Sequence, residues 1–286
     1  MTKKNFGNKF KKLRLEKNYS LDSVANGIAP KSSLYNWENG KGNMSFEKVI
    51  SMLNRMHIDP TEFVIDDLNN YIDLEDIANA YLENNKIELE HLTEKALIKS
   101  RNNSYNKKLL IRAAIGSQCL KSLIGKNLFS NNDVKRLETI LSDIDDWHYE
   151  EIFCFGNTLS LLPPKRIYGL TKSLIRKYIQ NNNYKYFKWQ HAALNTIINA
   201  MISLLYENIY FAKKLFPDLQ VLQLDDTYAY EKIRLKFIDE VIYFLKTNDV
   251  SRIKNLFFPF LNYIGLNQLS SDLKISFSQL KKIYSH

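Results

Sequence analysis

The stretch LRLEKNYSLDSVANGIAPKSSLYNWENG, residues 13–40, decides the fold of the first part of the chain. Ser20 suits the N-cap of a short helix, because its hydroxyl can accept a hydrogen bond from a free backbone N–H. The Asn-Gly pair that follows ends this helix, and Pro30, which suits a first helical position, begins the next one. Leu34 and Trp37 lie three residues apart and share the inward side of that next helix. The stretch therefore predicts two short helices separated by a tight break.

Helical patterns flank this stretch on both sides. Phe6, Phe10 and Leu13 form an apolar stripe at helical spacing, which predicts a preceding helix. Downstream, Ser45 is expected to cap a fourth helix, and the sequence DPTE at residues 59–62 resembles a capping box that starts a fifth. The inward residues of the fourth helix are expected to be Phe46, Val49, Ile50 and Leu53.

These five predicted helices resemble the helix-turn-helix family typified by phage repressors and Cro. The similarity is carried by LRLEKNYSLDSVA, KSSLYNWENG and MSFEKVISMLNRMHIDPTEF. It implies a DNA-binding domain over residues 1–66 whose third helix enters the major groove. The chain departs from the family at Ala29 and Pro30, which supply no capping side chain to the third helix. The start of that helix, and with it the register of the base contacts, stays open.

The outward side of the third predicted helix supplies the candidate DNA contacts. Short polar side chains can reach base edges, while residues at the flanks of the motif hold phosphates. Trp37 is expected in the core, and Glu38 is expected to be structural, because a free carboxylate repels phosphate. An ordinary solvated helix face is the alternative for Tyr35 and Asn36. We predict base contacts from Ser32, Ser33 and Asn36, with Lys31 and Tyr35 close by, and phosphate contacts from Arg14, Lys41 and Asn43.

Charge is distributed unevenly along the 286 residues, whose net charge is +9. Residues 1–60 contain eleven Lys or Arg against five Asp or Glu, whereas residues 61–95 contain two against ten. Residues 96–286 contain 27 against 16. A basic head followed by an acidic stretch and a moderately basic body fits nucleic-acid binding by the head. A coding bias that raises Lys and Asn is the alternative explanation.

No sequence pattern typical of an enzyme, a metal site or a membrane span is found. Glycine-rich phosphate loops, His-Glu-x-x-His and nucleophile-elbow serines are missing. His148 beside Glu150 and Glu151 is the nearest approach to a general acid–base pair, and a helix-surface pair accounts for it. Cys119 and Cys154 lack metal-ligand spacing and are expected to be reduced core thiols. We expect no catalytic residue, cofactor or metal, and a soluble cytoplasmic protein without a secretory signal.

Residues 67–286 show apolar stripes at helical spacing throughout. Breaks recur about every twenty residues, which is one helix plus a turn. Only nine Gly and six Pro occur in the whole chain, which disfavours a strand-rich fold. We predict an all-α protein in which the body is an α-solenoid of degenerate tetratricopeptide-like repeats. A compact helical bundle is the alternative.

The concave face of such a solenoid suits an extended peptide. Asn195 and Asn199 lie four residues apart, a rise of about 6 Å along a helix. Alternate residues of an extended peptide advance by about 6.6 Å, so the two amides could pair with peptide backbone. Asn157 could add a third contact, although a turn or an inter-helix contact explains each Asn equally well.

The whole chain resembles the Rgg/MutR/GadR family of Gram-positive regulators. Besides the head, WHYEEIFCFGNTLSLL from Trp147 and ALNTIINAMISLL from Ala193 carry this similarity. Asn36 and Asn39 stand where arginines are common in the family, which leaves the operator preference open. Membership implies a homodimer with tetratricopeptide-like repeats and, in the best-understood branch, a receptor for a short imported peptide pheromone. Some members have no assigned peptide.

The resemblance adds Arg176 and Lys177 as candidates for charge contacts with a peptide, a solvated helix face being the alternative. We predict a dimeric regulator that binds double-stranded operator DNA with two half-sites and responds to a short peptide held by Asn157, Arg176, Asn195 and Asn199. A peptide-independent regulator and a helical-repeat scaffold are the alternatives. The last helix, with its stripe from Leu269 to Tyr284, is expected to close the solenoid or to pair two subunits.

Overall fold

The computed structural model describes residues 6–68, 73–180 and 187–284, and of residues 65–68 only the backbone. The chain divides into two compact units, Met1–Leu74 and Glu75–His286. The predicted boundary after residue 66 was placed too early, because it falls inside the helix Pro60–Leu68. All regular structure in the described ranges is helical, which confirms the all-α prediction.

The first unit, called the head below, contains five helices in its described residues. They are α1 (Phe6–Glu16), α2 (Leu21–Ala25), α3 (Lys31–Glu38), α4 (Phe46–Arg55) and α5 (Pro60–Leu68).

The second unit, called the body, continues the helical chain. Its α-helices are α6 (Glu75–Leu82), α7 (Lys86–Asn102), α8 (Lys107–Ile124), α9 (Asn131–Ser142), α10 (Tyr149–Gly156), α11 (Pro164–Gln180), α12 (Phe187–Glu207), α13 (Ile209–Gln220), α14 (Ala229–Thr247), α15 (Phe258–Tyr263) and α16 (Asn267–Tyr284). A π-helical stretch, Ile253–Phe257, leads directly into α15. None of the described helices is long and apolar enough to cross a membrane.

Local capping explains where several helices of the head begin. The Ser20 side chain accepts a hydrogen bond from the Ser23 amide at the start of α2, as predicted. At the start of α5, the Asp59 carboxylate accepts hydrogen bonds from both the amide and the hydroxyl of Thr61. Pro30 lies one position earlier than predicted, since it is the N-cap of α3, with extended ψ of 135°, and not its first helical residue.

The core of the head is built around Phe10, which is fully buried. Its ring lies 5.2 Å from the ring of Trp37 and 6.2 Å from that of Phe63. Leu34 is buried in the same cluster, so α3 turns the predicted side inward. Phe46 was wrongly predicted to face inward: it is 72% exposed, because the first turn of α4 extends beyond the core that Val49 and Leu53 reach.

A close helix contact holds α1 against the end of α3. A Cβ atom added to Gly7 would lie 1.9 Å from the Trp37 carbonyl oxygen, far inside contact distance. Glycine is therefore required at this position by the approach of two backbones.

The longest helix of the body, α12, lies at its centre and packs on α10, α11, α13 and α14. One of its sides is apolar and fully buried, with Leu194, Ile197, Ile198 and Met201. The apolar stripe of α16 is directed into the same subunit, since Leu273, Phe277 and Leu280 are buried. The Tyr284 hydroxyl donates to the Leu205 carbonyl oxygen at 2.7 Å, which ties α16 to α12. The last helix thus closes the body, and the repeat type stays a prediction.

We predict that Gly7→Ala destabilises the head by about 1–3 kcal/mol, because the new methyl group forces α1 away from α3. Hydrogen exchange of peptides from α1 and α3 in the full chain would measure the effect. Gly169→Ala is the matched control, since its Cβ meets nothing within 4 Å on the exposed side of α11. This control is expected to be neutral or slightly stabilising. Equal exchange in wild type and Gly7→Ala would contradict the contact.

Candidate DNA-reading face and effector site

The outward side of α3 is entirely polar. Leu34, Trp37 and Glu38 are buried, and every remaining residue of the helix is exposed. This solvent-facing set, called the reading face below, comprises Lys31, Ser32, Ser33, Tyr35 and Asn36. The Lys31 ammonium group lies 3.6 Å from the Asp22 carboxylate, an exposed ion pair that contributes little to stability. The reading face is therefore free to contact a partner without unfolding the head.

Lys41 and Asn43 are exposed in the loop that follows α3. The Lys41 amide donates to the Asn36 carbonyl oxygen at 2.7 Å, which holds the start of the loop against the reading face. Asn39 lies between Asn36 and Lys41 in the sequence. Its side-chain amide donates to the Tyr35 carbonyl oxygen, and its side-chain oxygen accepts from the Lys11 ammonium group. Lys41 thus lies beside the predicted base contact Asn36, and Asn43 follows two residues later in the same loop.

Arg14, predicted as a phosphate contact, has a different role. Only 5% of the residue is exposed, and its guanidinium makes two hydrogen bonds of 2.7 Å to the Glu38 carboxylate. A third hydrogen bond, of 2.8 Å, goes to the Tyr19 carbonyl oxygen. This bidentate pair joins α1 to the end of α3 and explains why Glu38 is buried. The guanidinium is enclosed in the head and unavailable to DNA, so the prediction for Arg14 was wrong.

In the body, three polar residues follow one another at four-residue spacing on α12. They are His191, Asn195 and Asn199, and they face α14. The apolar side of α12 is buried in the core, whereas His191 and Asn195 are half-buried and Asn199 is exposed. We call these residues, together with Glu231 and Arg234 of α14, the α12–α14 cluster.

Arg234 bridges the two asparagines predicted to hold a peptide. Its guanidinium donates to the Asn195 side-chain oxygen at 2.8 Å and to the Asn199 side-chain oxygen at 2.6 Å. Each amide oxygen thus accepts one hydrogen bond from Arg234 and keeps one lone pair, so a contact of either asparagine with a peptide backbone stays a prediction. Burial lowers the pKa of the Arg234 guanidinium from its ordinary value. The two asparagines therefore serve first to orient Arg234.

Glu231 holds the other end of the cluster. Its carboxylate is almost fully buried and lies 2.6 Å from Nδ1 of His191. The same oxygen accepts from the Asn195 side-chain amide at 3.4 Å. The imidazole also lies against two aromatic rings, those of Phe187 at 4.1 Å and Tyr228 at 4.8 Å. His191 of α12 and Glu231 of α14 thus form one end of the cluster, called the His191 end.

The other two predicted peptide contacts lie elsewhere. Asn157 follows the end of α10, where its side-chain amide donates to the Phe153 carbonyl oxygen at 2.8 Å. Arg176 is exposed on α11, and its neighbour Lys177 forms an ion pair of 2.6 Å with Asp146. No hydrogen bond in the described ranges joins Asn157 or Arg176 to the α12–α14 cluster. A role for either residue in binding a peptide stays a prediction.

Sequence reasoning missed three members of the cluster. His191 could have been found by extending the Asn195 and Asn199 spacing by one turn toward the N-terminus. Glu231 and Arg234 stand three residues apart on α14, a common spacing for exposed charge pairs, and nothing local indicates that they face α12. Only the packing of α12 on α14 brings them to the asparagines.

In the described ranges, no group of three or more His, Cys, Asp or Glu side chains could hold a metal ion. Both cysteines are free thiols, and burial raises the pKa of each. The pKa of Cys154 rises to about 12, with Glu150 and Glu151 adding to the effect of burial.

Residues 89–275, more than half of the chain, match the family described as "HTH-type transcriptional regulator Rgg, C-terminal domain". The chain belongs to the Rgg family of helix-turn-helix transcriptional regulators. The predicted resemblance is thereby confirmed, and this family consists of transcription regulators.

Solved structures show the same fold. The Streptococcus dysgalactiae SHP pheromone receptor Rgg2 is 22% identical, with a TM-score of 0.75 over 96% of this chain and 99% of that one. A bacterial peptide pheromone/receptor complex is 13% identical, with a TM-score of 0.69 over 97% and 98% of the two chains. The PrgX/cCF10 complex is 14% identical, with a TM-score of 0.69 over 97% and 92%. The likeness covers both the head and the body.

We predict that Arg14→Met destabilises the head by about 3–5 kcal/mol, because it leaves the buried Glu38 carboxylate without a partner. The double variant Arg14→Met, Glu38→Leu should recover most of this loss, since it removes both charges. Hydrogen exchange of α1 and α3 would report both changes. Lys12→Met, which breaks only an exposed pair with Glu16, is the control and should cost less than about 1 kcal/mol.

The competing role as a phosphate contact predicts a different result. In that case Arg14→Met would leave hydrogen exchange unchanged and lower the salt dependence of DNA binding by about 0.9 in slope.

Proposed function

We propose that this protein binds operator DNA sequence-specifically through the reading face of α3 and that a short peptide bound by the body controls it. One observation carries the first part: α3 buries Leu34, Trp37 and Glu38 and leaves a continuous polar side to solvent. Hydroxyl and amide side chains on such a helix can pair with base edges in the major groove. Ser32, Ser33 and Asn36 are the proposed base contacts.

Phosphate contacts are assigned to Lys41 and Asn43, and Lys31 and Tyr35 of the reading face lie close to the proposed base contacts. These residues are exposed and lie on or next to α3, so they can position the head on the duplex. The family resemblance implies a homodimer, and two-fold symmetry then requires two half-sites. Their spacing should be about 34 Å, one turn of DNA, or a multiple of it.

Control by a peptide is supported by the comparisons and by the cluster. Two of the similar structures are described as a pheromone receptor and as a peptide pheromone/receptor complex, and the likeness extends over at least 96% of each chain. The α12–α14 cluster offers donors and acceptors at a half-buried surface inside the matched range 89–275. A regulator that needs no peptide is the second candidate, because the family resemblance also allows members without an assigned peptide.

Ser32→Ala and Asn36→Ala are each expected to weaken binding to an operator selected from random duplexes by about 1–3 kcal/mol. Binding to an unselected duplex should not change, because base contacts contribute only to the matched sequence. Titration of both duplexes with the full chain, with footprinting for the half-site spacing, would measure this. Ser51→Ala on α4, an exposed serine outside the reading face, is the control.

Lys41→Ala should instead weaken binding to both duplexes and lower the salt slope by about 0.9. Equal loss on both duplexes for Asn36→Ala would remove that residue from base recognition. Binding without any salt dependence would favour a scaffold over a regulator.

The double variant Asn195→Ala, Asn199→Ala is expected to abolish peptide binding while DNA affinity stays intact, because the cluster lies in the body. The full chain would be mixed with a pool of synthetic apolar octapeptides, and co-eluting peptides would be identified by mass spectrometry after gel filtration. Asn132→Ala, an exposed asparagine at the start of α9, is the control. A wild-type chain that retains no peptide would favour the peptide-independent regulator.

A further inference from the structure

Arg234 has neutral hydrogen-bond partners. Its two terminal nitrogens donate to the side-chain oxygens of Asn195 and Asn199, at 2.8 and 2.6 Å. Within the described ranges, no carboxylate forms an ion pair with this guanidinium inside 4.0 Å, whereas Arg14, Arg101, Arg112 and Arg252 each have one. Arg234 is thus a half-buried arginine whose hydrogen bonds are met by amides but whose charge has no direct partner.

The neighbouring carboxylate is already in use. Glu231 is 2% exposed, and its bound oxygen lies 2.6 Å from His191 and 3.4 Å from the Asn195 amide nitrogen. These contacts hold the carboxylate toward the His191 end of the cluster. Glu231 therefore lowers the electrostatic cost of burying Arg234 without making an ion pair with it.

Arg234 has N–H groups that the two asparagines do not use. A guanidinium carries five N–H groups, and the two asparagines use two of them. Asn199 is exposed, so the cluster is open to solvent at its Asn199 end. The Tyr230 ring lies 5.7 Å from the guanidinium carbon and is itself half exposed, so it supports the cation on one side through a cation–π contact. A planar anion can approach the uncommitted N–H groups.

We propose that Arg234 binds a carboxylate of the peptide effector, either its C-terminal carboxylate or an Asp or Glu side chain. The inference rests on the proposed function of the body as a peptide receptor. A carboxylate matches the fork of the guanidinium and supplies the charge that the amides lack. Asn195 and Asn199 are then positioning residues, because they fix the orientation of the guanidinium before the peptide arrives.

This contact would make the protein select peptides that have a negative charge at the position facing Arg234. A carboxylate offsets the free-energy cost of desolvating the Arg234 cation. A neutral amide at the same position leaves that cation without a counter-charge. An apolar peptide with a blocked C-terminus and no acidic residue should therefore be rejected, although its shape and length are unchanged.

Three pools of synthetic apolar octapeptides test this with the full chain. The first has free C-terminal carboxylates and no Asp or Glu, the second has the same sequences with C-terminal amides, and the third has amides plus one Asp per peptide. Peptides retained with the protein in gel filtration are identified and quantified by mass spectrometry. If the first pool is retained more than the second, Arg234 binds the C-terminal carboxylate. If the third pool is retained more than the second, it binds an acidic side chain.

Variants of Arg234 test whether this residue causes the preference for carboxylate peptides. Arg234→Gln should reduce the preference for carboxylate peptides about tenfold to a hundredfold, the value of charge-assisted hydrogen bonds. Arg234→Lys should keep part of the preference, since it retains the charge but loses the fork. Lys135→Gln is the control, because that lysine is exposed on α9 and lies outside the cluster and outside every predicted binding site. Circular dichroism of each variant verifies its folding. The comparison of the three pools uses only the wild-type chain, so it tests the proposal even if a variant does not fold.

Equal retention of all three pools by the wild type would overturn the assignment of a carboxylate while leaving peptide binding in place. An unchanged preference in folded Arg234→Gln would assign the carboxylate to another residue and would also overturn the proposal. Retention of no pool at all would overturn peptide control itself, and with it the inference.

Discussion

The buried ion pair between Arg14 and Glu38 is the interaction on which the geometry of the head depends. Two hydrogen bonds of 2.7 Å lock the end of α3 to α1, and the contact of Gly7 with the Trp37 carbonyl oxygen leaves no room for slippage. A buried ion pair adds little net stability compared with apolar packing, but it tolerates only one arrangement of its partners. The rotation of α3 about its own axis is thereby set, and its polar side must face solvent.

In the body, the orientation of a longer helix is fixed by apolar packing. The apolar side of α12 is fixed by the core through residues such as Leu194 and Ile198, so the opposite polar side, with Asn195 and Asn199, is presented to α14. In both units the proposed binding surface lies on the side of a helix opposite its buried side. Rigid support of this kind places polar groups more accurately than a loop could.

Local signals in the sequence predicted most of the helices but only part of the sites. Ser20 and Asp59 act on residues two or three positions away, so their capping roles can be inferred from the chain itself. Arg14 could not be assigned in this way, because its partner is 24 positions distant and a basic residue next to a DNA-binding motif resembles a phosphate contact. Arg234 lies 35 and 39 positions from its two asparagines. Periodicity also placed Phe46 inward, since it shows which side of a helix is apolar but not how far the core extends along it.

The burial of the two cysteines affects their reactivity toward oxidants. Peroxides and disulfides react with the thiolate, and the amount of thiolate at neutral pH falls as the pKa of the thiol rises. With the pKa of Cys154 at about 12 and that of Cys119 also raised, both side chains stay protonated at neutral pH. Neither thiol is therefore a ready nucleophile toward peroxides or disulfides at neutral pH.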